Sequence, residues 1–281
     1  MLFLKYKISF SDIFSNSLAY LLFGVAGLSI NLYLFFFGSF EAVGVFNQFY
    51  VFFVIFGQLF SFSIPEFNLR YLPIQSSKEK LKNLISISTI VSFFSGFLAF
   101  TFIIFLRDLI FKFNNSENIY KGLITLGVAV IFFVLNKNFL SILNSLKKFK
   151  QFAFINSFRS LSLIFFSIIF LDNNDYSKLS LIFLITELFV LIICLFLISK
   201  YFIFYFYEIK NNFQLILNFF KKTIIYSFLS ETFIRIDILM ISYFFNDKYV
   251  GIYALAAIFS EGIYQISVYV RNLVNPYLSE F

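Results

Sequence analysis

Hydrophobic positions along the chain fall into long runs that short polar segments separate. Each run is about 20 residues long, the length that an α-helix needs to cross the hydrocarbon core of a bilayer. Polar, turn-like stretches such as PIQSSKEKLKN, RDLIFKFNNSENIYK and LDNNDYSK lie between them. The pattern predicts about eight transmembrane helices, at about residues 18–38, 45–64, 84–106, 122–142, 151–171, 179–199, 223–245 and 250–270.

Composition supports this interpretation. Of the 281 residues, 60% are hydrophobic and only 13% are charged, whereas charged residues make up about 25% of a typical soluble domain. We therefore predict an all-α polytopic membrane protein.

Several chemistries are excluded by residues that the chain lacks. It has no His and one Cys, Cys194, so neither a His-based metal site nor a Ser-His-Asp triad can be built. It also lacks a Gly-rich phosphate loop of the G-x-x-x-x-G-K-[ST] kind. We expect no enzyme activity, no metal and no cofactor.

Basic residues are distributed unevenly between alternate connections. With the N-terminus inside the cell, the inner segments hold thirteen Lys and Arg residues and the outer loops hold five. Short cytoplasmic loops retain positive charge, so we predict a cytoplasmic N-terminus. The formal net charge of +7 then follows from topology, and no nucleic-acid partner is expected.

A short motif recurs 207 residues apart. Val-Gly-x-aromatic occurs at Val43-Gly44-Val45-Phe46 and at Val250-Gly251-Ile252-Tyr253, each time after a short outer loop and before a new span. The repeat predicts a first six-helix lobe at residues 1–210 and the first two helices of a second, pseudo-symmetric lobe at 211–281. Gly44 and Gly251 are interpreted as structural turns where helices begin.

Two stretches of the chain resemble one transporter family. The stretch GSFEAVGVFNQFYVFFVIFGQLFSFSIPEFNLRYLP resembles the second-helix region of polysaccharide (O-antigen or capsule) flippases of the multidrug/oligosaccharidyl-lipid/polysaccharide transporter superfamily. The stretch FKKTIIYSFLSETFIRIDILMISYFFNDKYVGIYALAAIF is similar to their seventh and eighth helices, where an apolar helix with a central Asp precedes a short loop and Gly-x-Tyr. The matching residues are Asp237, Gly251 and Tyr253.

The resemblance implies a function. A flippase of this family translocates an undecaprenyl-pyrophosphate-type, lipid-linked oligosaccharide across the bacterial inner membrane by alternating access, for surface polysaccharide biosynthesis. The implied partners are the lipid-linked oligosaccharide, the bilayer, and glycan polymerase or ligase components. Family members usually have twelve to fourteen helices, so this chain is expected to be a C-terminally truncated member. The alternatives are a cation-coupled small-molecule exporter of the same superfamily and a truncated, non-transporting membrane protein.

Charged residues inside the spans are the candidate site. They are Lys137, Arg159, Glu187, Glu231, Arg235, Asp237 and Glu261. A charge at the bilayer centre costs about 2.5–3.5 kcal/mol on insertion scales, so each needs a partner or a function. Glu231 and Arg235 are four residues apart and can pair on one helix face, whereas Asp237 lies about 200° round from Arg235 and needs another partner.

A flippase must neutralise its substrate's pyrophosphate inside a cavity, and the planar fork of Arg suits phosphate oxygens. We therefore predict that Arg159, Arg235 and then Lys137 contact the head group. Asp237 and then Glu231 are the candidates for coupling to an ion or proton gradient. A structural ion pair remains open for Glu231 with Arg235, and a structural role is favoured for Lys137 and Glu187.

Overall fold

The computed structural model of the chain describes residues 10–75, 77–201, 209–232 and 236–258. These residues form helices joined by short connections, and no strand occurs among them. The helices are α1 Phe10–Phe37, α2 Phe40–Phe60, α3 Ile64–Tyr71, α4 Lys78–Asn114, α5 Glu117–Ser145, α6 Phe149–Phe170, α7 Ser180–Ile198, α8 Ile209–Thr232, α9 Ile236–Phe244 and α10 over 247–258. Short 3₁₀ turns, Tyr176–Leu179 and Ser199–Tyr201, flank α7. The all-α class is confirmed.

Among the residues that the structure describes, six helices are long and apolar enough to cross a membrane, and they overlap the first six predicted spans. They are α1, α2, α4, α5, α6, and α7 with the 3₁₀ turn before it. The seventh predicted span falls on α8 and α9, with residues 233–235 outside the described residues. The eighth begins in α10, and its part beyond residue 258 also lies outside them.

The connections at one end of the molecule are shorter than the sequence suggested. The segment from Arg107 to Lys121 was predicted as a loop, but α4 continues to Asn114 and α5 begins at Glu117. Asn115 takes a left-handed conformation with φ of 52°, which ends α4 and reverses the chain. Arg107 lies within α4, where its Nε donates to the Tyr120 carbonyl over 3.0 Å and its Cζ lies 3.7 Å from the centroid of the Tyr120 ring.

This end carries the α1–α2, α4–α5, α6–α7 and α9–α10 connections and is called the outer end below, after the predicted orientation. In the α6–α7 connection, Lys178 Nζ donates to Asp172 Oδ2 over 2.6 Å. That hydrogen bond lowers the pKa of the Asp172 carboxyl below its ordinary value. Both residues belong to one connection, so the ion pair does not join separate helix bundles.

Helices α1 to α7 form one bundle, called the first bundle below. Aromatic rings fill its outer half, where Phe183 of α7 packs against Phe46 and Phe53 of α2 at centroid distances of 5.4 and 5.0 Å. Towards the other end, buried amides join α3 to α5. Asn68 Nδ2 donates to Asn138 Oδ1 over 2.7 Å and to Ser141 Oγ over 2.8 Å.

The repeat is visible as a reciprocal contact between α2 and α10. A Cβ on Gly44 would lie 1.8 Å from the Asp247 carbonyl oxygen, and a Cβ on Gly251 would lie 1.8 Å from the Phe40 carbonyl oxygen. Residues 40 and 247 are separated by the same 207 positions as the glycines. The two copies of the motif therefore contact each other at equivalent positions.

The turn role predicted for these glycines needs correction. Each glycine is the fifth residue of its helix, and no Gly among the described residues has positive φ. Gly44 and Gly251 are required because two helix backbones approach too closely to admit a side chain, and not because the chain reverses there.

At the opposite end of the molecule, α8 packs against α3. Phe219 lies edge-on to Phe67 and Tyr71, with ring centroids 5.8 Å apart in both cases. Phe220 contacts Phe62, the residue two positions before α3, at 4.7 Å. The helices that follow α7 thus contact the first bundle at both ends, through α10 at the outer end and α8 at the other.

Candidate functional site

A buried ion pair joins α6 to α7 inside the first bundle. Arg159 Nε lies 2.9 Å from Glu187 Oε1, and Arg159 Nη2 donates to Glu187 Oε2 over 2.9 Å. The side chains are only 12% and 3% exposed. The guanidinium thus makes one hydrogen bond to the carboxylate through Nη2, while Nε lies close to the other oxygen but is not aligned to donate to it.

Asn136 of α5 holds the carboxylate in this orientation. Its Nδ2 donates to the Glu187 backbone oxygen and to Glu187 Oε2, each over 2.8 Å. Its own Oδ1 is buried and has no hydrogen-bond partner among the described residues. An unpartnered buried acceptor is costly in a low-dielectric interior, so this position suits a water molecule or a donor group of a ligand.

A second basic residue lies beside the pair. Lys137 Nζ is 5.6 Å from the centroid of the Phe133 ring, and Arg159 Cζ is 5.7 Å from the same centroid. Lys137 also donates to Gln58 of α2. Phe133 packs against Gly57, where an added Cβ would lie 2.3 Å from its ring. Lys137 and Arg159, two of the three cations predicted to contact the head group, therefore lie beside the same Phe133 ring.

Asp237, the predicted coupling residue, has a partner on α10. The Tyr253 hydroxyl donates to its Oδ2, and the Ile238 backbone N–H donates to its Oδ1 over 2.8 Å. Asp237 and Tyr253 are two of the residues that carried the family resemblance.

The predicted Glu231–Arg235 pair is not described by the structure. Arg235 lies outside the described residues, and Glu231 is in α8 with its side chain outside them. Their pairing and their roles remain predictions.

A cavity of about 70 Å³ lies between the first bundle and α9–α10. Its wall is mostly apolar, and the polar side chains in it are those of Asn31, Asn47 and Tyr50; Asn47 Nδ2 donates to Asn31 Oδ1 over 2.6 Å. Typical ligand pockets measure about 300–1,000 Å³, so this cavity is too small for a sugar-bearing head group. Neither Lys137 nor Arg159 is among the described residues that line it.

The sequence did not identify the partners of the charged residues. Glu187 was recognised as an intramembrane charge but could not be paired, and Asn136 and Gln58 were missed. One local signal was available, because Asn136, Lys137 and Asn138 are consecutive polar residues in an otherwise apolar span. Within the described ranges, no group of three or more acidic, His or Cys side chains could hold a metal ion.

Comparisons with known proteins identify related sequences and folds. A family model described as "Polysaccharide biosynthesis protein" matches residues 49–281. Among curated proteins, no sequence matches this chain significantly. The crystal structure of MATE in complex with Br-NRF matches 96% of this chain and 72% of that chain, with a TM-score of 0.60 and 16% identity.

The crystal structure of MATE in complex with MaL6 matches 95% of this chain and 68% of that chain, with a TM-score of 0.61 and 18% identity. At these identities the likeness establishes the fold. The chain spans about 70% of the length of these two structures, and the resemblance in helix order extends over nearly all of it.

Proposed function

The chain belongs to the polysaccharide biosynthesis protein family, and on that premise we propose that it translocates a lipid-linked oligosaccharide. The chain is a multi-pass membrane protein with a MATE-like fold, so it is of the transporter type. The proposed substrate carries a pyrophosphate between the lipid and the glycan. The proposed setting is a bacterial inner membrane with the N-terminus in the cytoplasm, where the substrate supports surface polysaccharide assembly.

One observation carries this proposal: a buried Arg, held by a carboxylate, in the interior of the first bundle. Arg159 is 12% exposed, its Nη2 donates to Glu187 Oε2, and its Nε lies 2.9 Å from Glu187 Oε1 without a hydrogen bond. The planar fork of Arg suits phosphate oxygens, which can accept from two of its nitrogens at once. Glu187 therefore occupies the position that a substrate pyrophosphate oxygen would take.

Exchange of these two anions is the proposed binding step. Removing one partner from a buried ion pair costs about 3–5 kcal/mol because the other charge is left uncompensated. A pyrophosphate that replaces Glu187 at Arg159 avoids this cost on the Arg159 side, and protonation of Glu187 avoids it on the other. Asn136 stays beside the Glu187 carboxyl after this exchange, since its Nδ2 also donates to the Glu187 backbone oxygen.

Lys137 supplies a second positive charge beside the same ring, and Arg235 is the third proposed cation. Asp237 remains the proposed coupling carboxylate, with Glu231 second. The Tyr253 hydroxyl donates to Asp237 Oδ2 and so joins α10 to α9. Proton binding at Asp237 would weaken this contact between α9 and α10.

The test uses proteoliposomes that contain the full chain and undecaprenyl-pyrophosphate with a fluorophore-labelled oligosaccharide. A membrane-impermeant quencher reports the label that reaches the outer leaflet. We expect the wild-type chain to accelerate its appearance and the double variant Arg159→Gln/Glu187→Gln to slow it by about tenfold or more. Loss of one charge-assisted contact, worth about 1.5–3 kcal/mol, has that effect.

The double variant is chosen because it removes both charges together and leaves no unpaired charge in the interior. Arg107→Gln is the matched control, since Arg107 lies at the outer end of α4 and contacts Tyr120. Equal rates for the double variant and the wild type would contradict the role of Arg159. Failure of the wild-type chain to move this substrate would contradict the proposed function.

The same vesicles test the competing function, a cation-coupled exporter of small organic compounds. Under that function, an imposed proton or sodium gradient would drive efflux of a fluorescent organic cation, and the lipid-linked glycan would stay in its leaflet. A chain that moves neither substrate would be a non-transporting membrane protein.

A further inference from the structure

Asp247 joins the start of the second lobe to the first bundle at the outer end. It is the first residue of α10, and its carboxylate accepts two hydrogen bonds from the first bundle. Gln48 Nε2 of α2 donates to Oδ1, and Ser116 Oγ in the α4–α5 connection donates to Oδ2, each over 2.7 Å. One carboxylate thus binds two separate elements of the first bundle.

The two donors are themselves positioned. Asn114 Nδ2 donates to Gln48 Oε1 over 3.1 Å. Ser116 is the N-cap of α5, and its Oγ accepts from the Ile119 backbone N–H over 3.4 Å while donating to Asp247. These contacts fix the donors in the first bundle, so the bonds to Asp247 must lengthen if α10 moves away.

The surroundings of Asp247 suit contacts that form and break. A cavity of about 290 Å³ with a mixed polar and apolar lining lies beside it, and Asn114, Ser116 and Asn246 are among its polar residues. Polar groups that separate next to such a cavity can be rehydrated at once, which lowers the cost of separating them. Next to this cavity, α2 and α10 meet at Gly44 and Gly251. Because neither glycine has a side chain, no interlocked side chains at this contact oppose the separation of the two helices.

We propose that Asp247, with Gln48 and Ser116, is an outer gate that holds α10 against the first bundle and closes the cavity between them. When the gate opens, α10 separates from α2, and the cavity lined by Gly24 and Asn47 is exposed to the outer side. The inference goes beyond the proposed function, because it requires that the lobes move apart but does not depend on which substrate is carried.

A second carboxylate at the same end provides a matched control. Asp172 is also bound by a neighbour, Lys178, but both residues lie in the α6–α7 connection of the first bundle. Removing this carboxylate removes a polar contact at the outer end without releasing α10. It should therefore leave the gate closed.

The experiment measures access to the cavity. Gly24 is changed to Cys in a Cys194→Ala background, since a Cβ at Gly24 meets nothing within 4 Å and the residue lines the cavity. A membrane-impermeant maleimide is added to spheroplasts. A separate variant, Asn174→Cys, carries an exposed Cys in the α6–α7 connection, and its labelling establishes that the reagent reaches the outer end.

We expect Asp247→Ala to raise the labelling rate at position 24 by about tenfold or more, the change that loss of one charge-assisted hydrogen bond makes in an equilibrium. Asp172→Ala should leave the rate unchanged. Gln48→Met, which keeps the length of the side chain and removes the donor, should act in the same direction as Asp247→Ala.

Size-exclusion profiles establish whether each variant is folded. If Asp247→Ala does not fold, the labelling rate of Gln48→Met tests the proposal instead. An unchanged rate in the folded gate variants would overturn the proposal, as would an equal increase in Asp172→Ala. Labelling requires no substrate, so this outcome is independent of whether the chain moves a lipid-linked oligosaccharide.

Discussion

Substitution of Gly44 by Ala tests the close backbone contact between α2 and α10. The added Cβ would lie 1.8 Å from the Asp247 carbonyl oxygen and 3.0 Å from the Gly251 nitrogen. Carbon and carbonyl oxygen normally approach to about 3.3–3.6 Å. Helices α2 and α10 must therefore separate by about 1.5 Å at this point, because backbone atoms cannot rotate out of the way as a side chain can.

The expected cost follows from the size of this displacement. Overpacking of a tight contact typically costs about 1–3 kcal/mol. For chains of roughly this size, each kcal/mol shifts the midpoint of thermal unfolding by about 2–4 °C. We therefore expect Gly44→Ala to lower Tm by about 2–12 °C. Gly251→Ala should have the same effect, and the double variant should cost less than the sum, since both changes affect one contact.

Gly24→Ala is the matched control, because it makes the same chemical change in α1 at a position where the Cβ meets nothing. Ala is favoured over Gly inside a helix by about 0.5–1 kcal/mol, so Gly24→Ala should leave Tm unchanged or raise it. The measurement is the temperature at which the detergent-solubilised protein loses its monodisperse size-exclusion peak. Equal Tm values for Gly44→Ala and Gly24→Ala would refute the reasoning.

Three further predictions concern buried polar contacts. Arg159→Leu should destabilise the protein by about 3–5 kcal/mol because it leaves Glu187 uncompensated, and Arg159→Leu/Glu187→Leu should recover most of the loss; a Tm as low as that of the single variant would contradict this. Asn68→Ala should cost about 1–3 kcal/mol, measured as a fall in Tm, because its two buried partners lose a donor. Tyr253→Phe should cost about 1.5–3 kcal/mol, measured as a fall in Tm, because Asp237 Oδ2 loses a hydrogen-bond donor from α10; an unchanged Tm would contradict this.

The sequence predicted the features that local pattern determines. Six apolar runs became six long helices, because about 20 apolar residues in sequence suffice to specify a span. The register of the repeat was also readable, since each copy of Val-Gly-x-aromatic is local and the copies share one spacing. Helix ends were less accurate, because the left-handed Asn115 and the Ser116 N-cap, and not the charges of the segment, determine where α4 ends and α5 begins.

The candidate site could not be assembled from sequence in the same way. Arg159 and Glu187 are 28 residues apart on different helices, and their pairing depends on the rotation of α6 and α7 about their own axes. Asp247 and Gln48 are 199 residues apart. Partners of this kind are set by helix packing, which hydrophobic periodicity does not determine when nearly every position is apolar.

The length of α4 has a consequence for the depth of the protein in the bilayer. Its 37 residues, at 1.5 Å each, span about 55 Å, whereas the hydrocarbon core is about 30 Å thick. Tilts of transmembrane helices rarely exceed about 40°, so both ends of α4 must reach the lipid head groups. Lysines lie in its first turns and Lys112 near its end, and head-group phosphates attract them on both sides. The helix thus fixes the depth of the protein in the bilayer. Its last residue, Asn114, donates to Gln48, so a change in bilayer thickness is expected to shift the end of α4 and with it the position of Gln48.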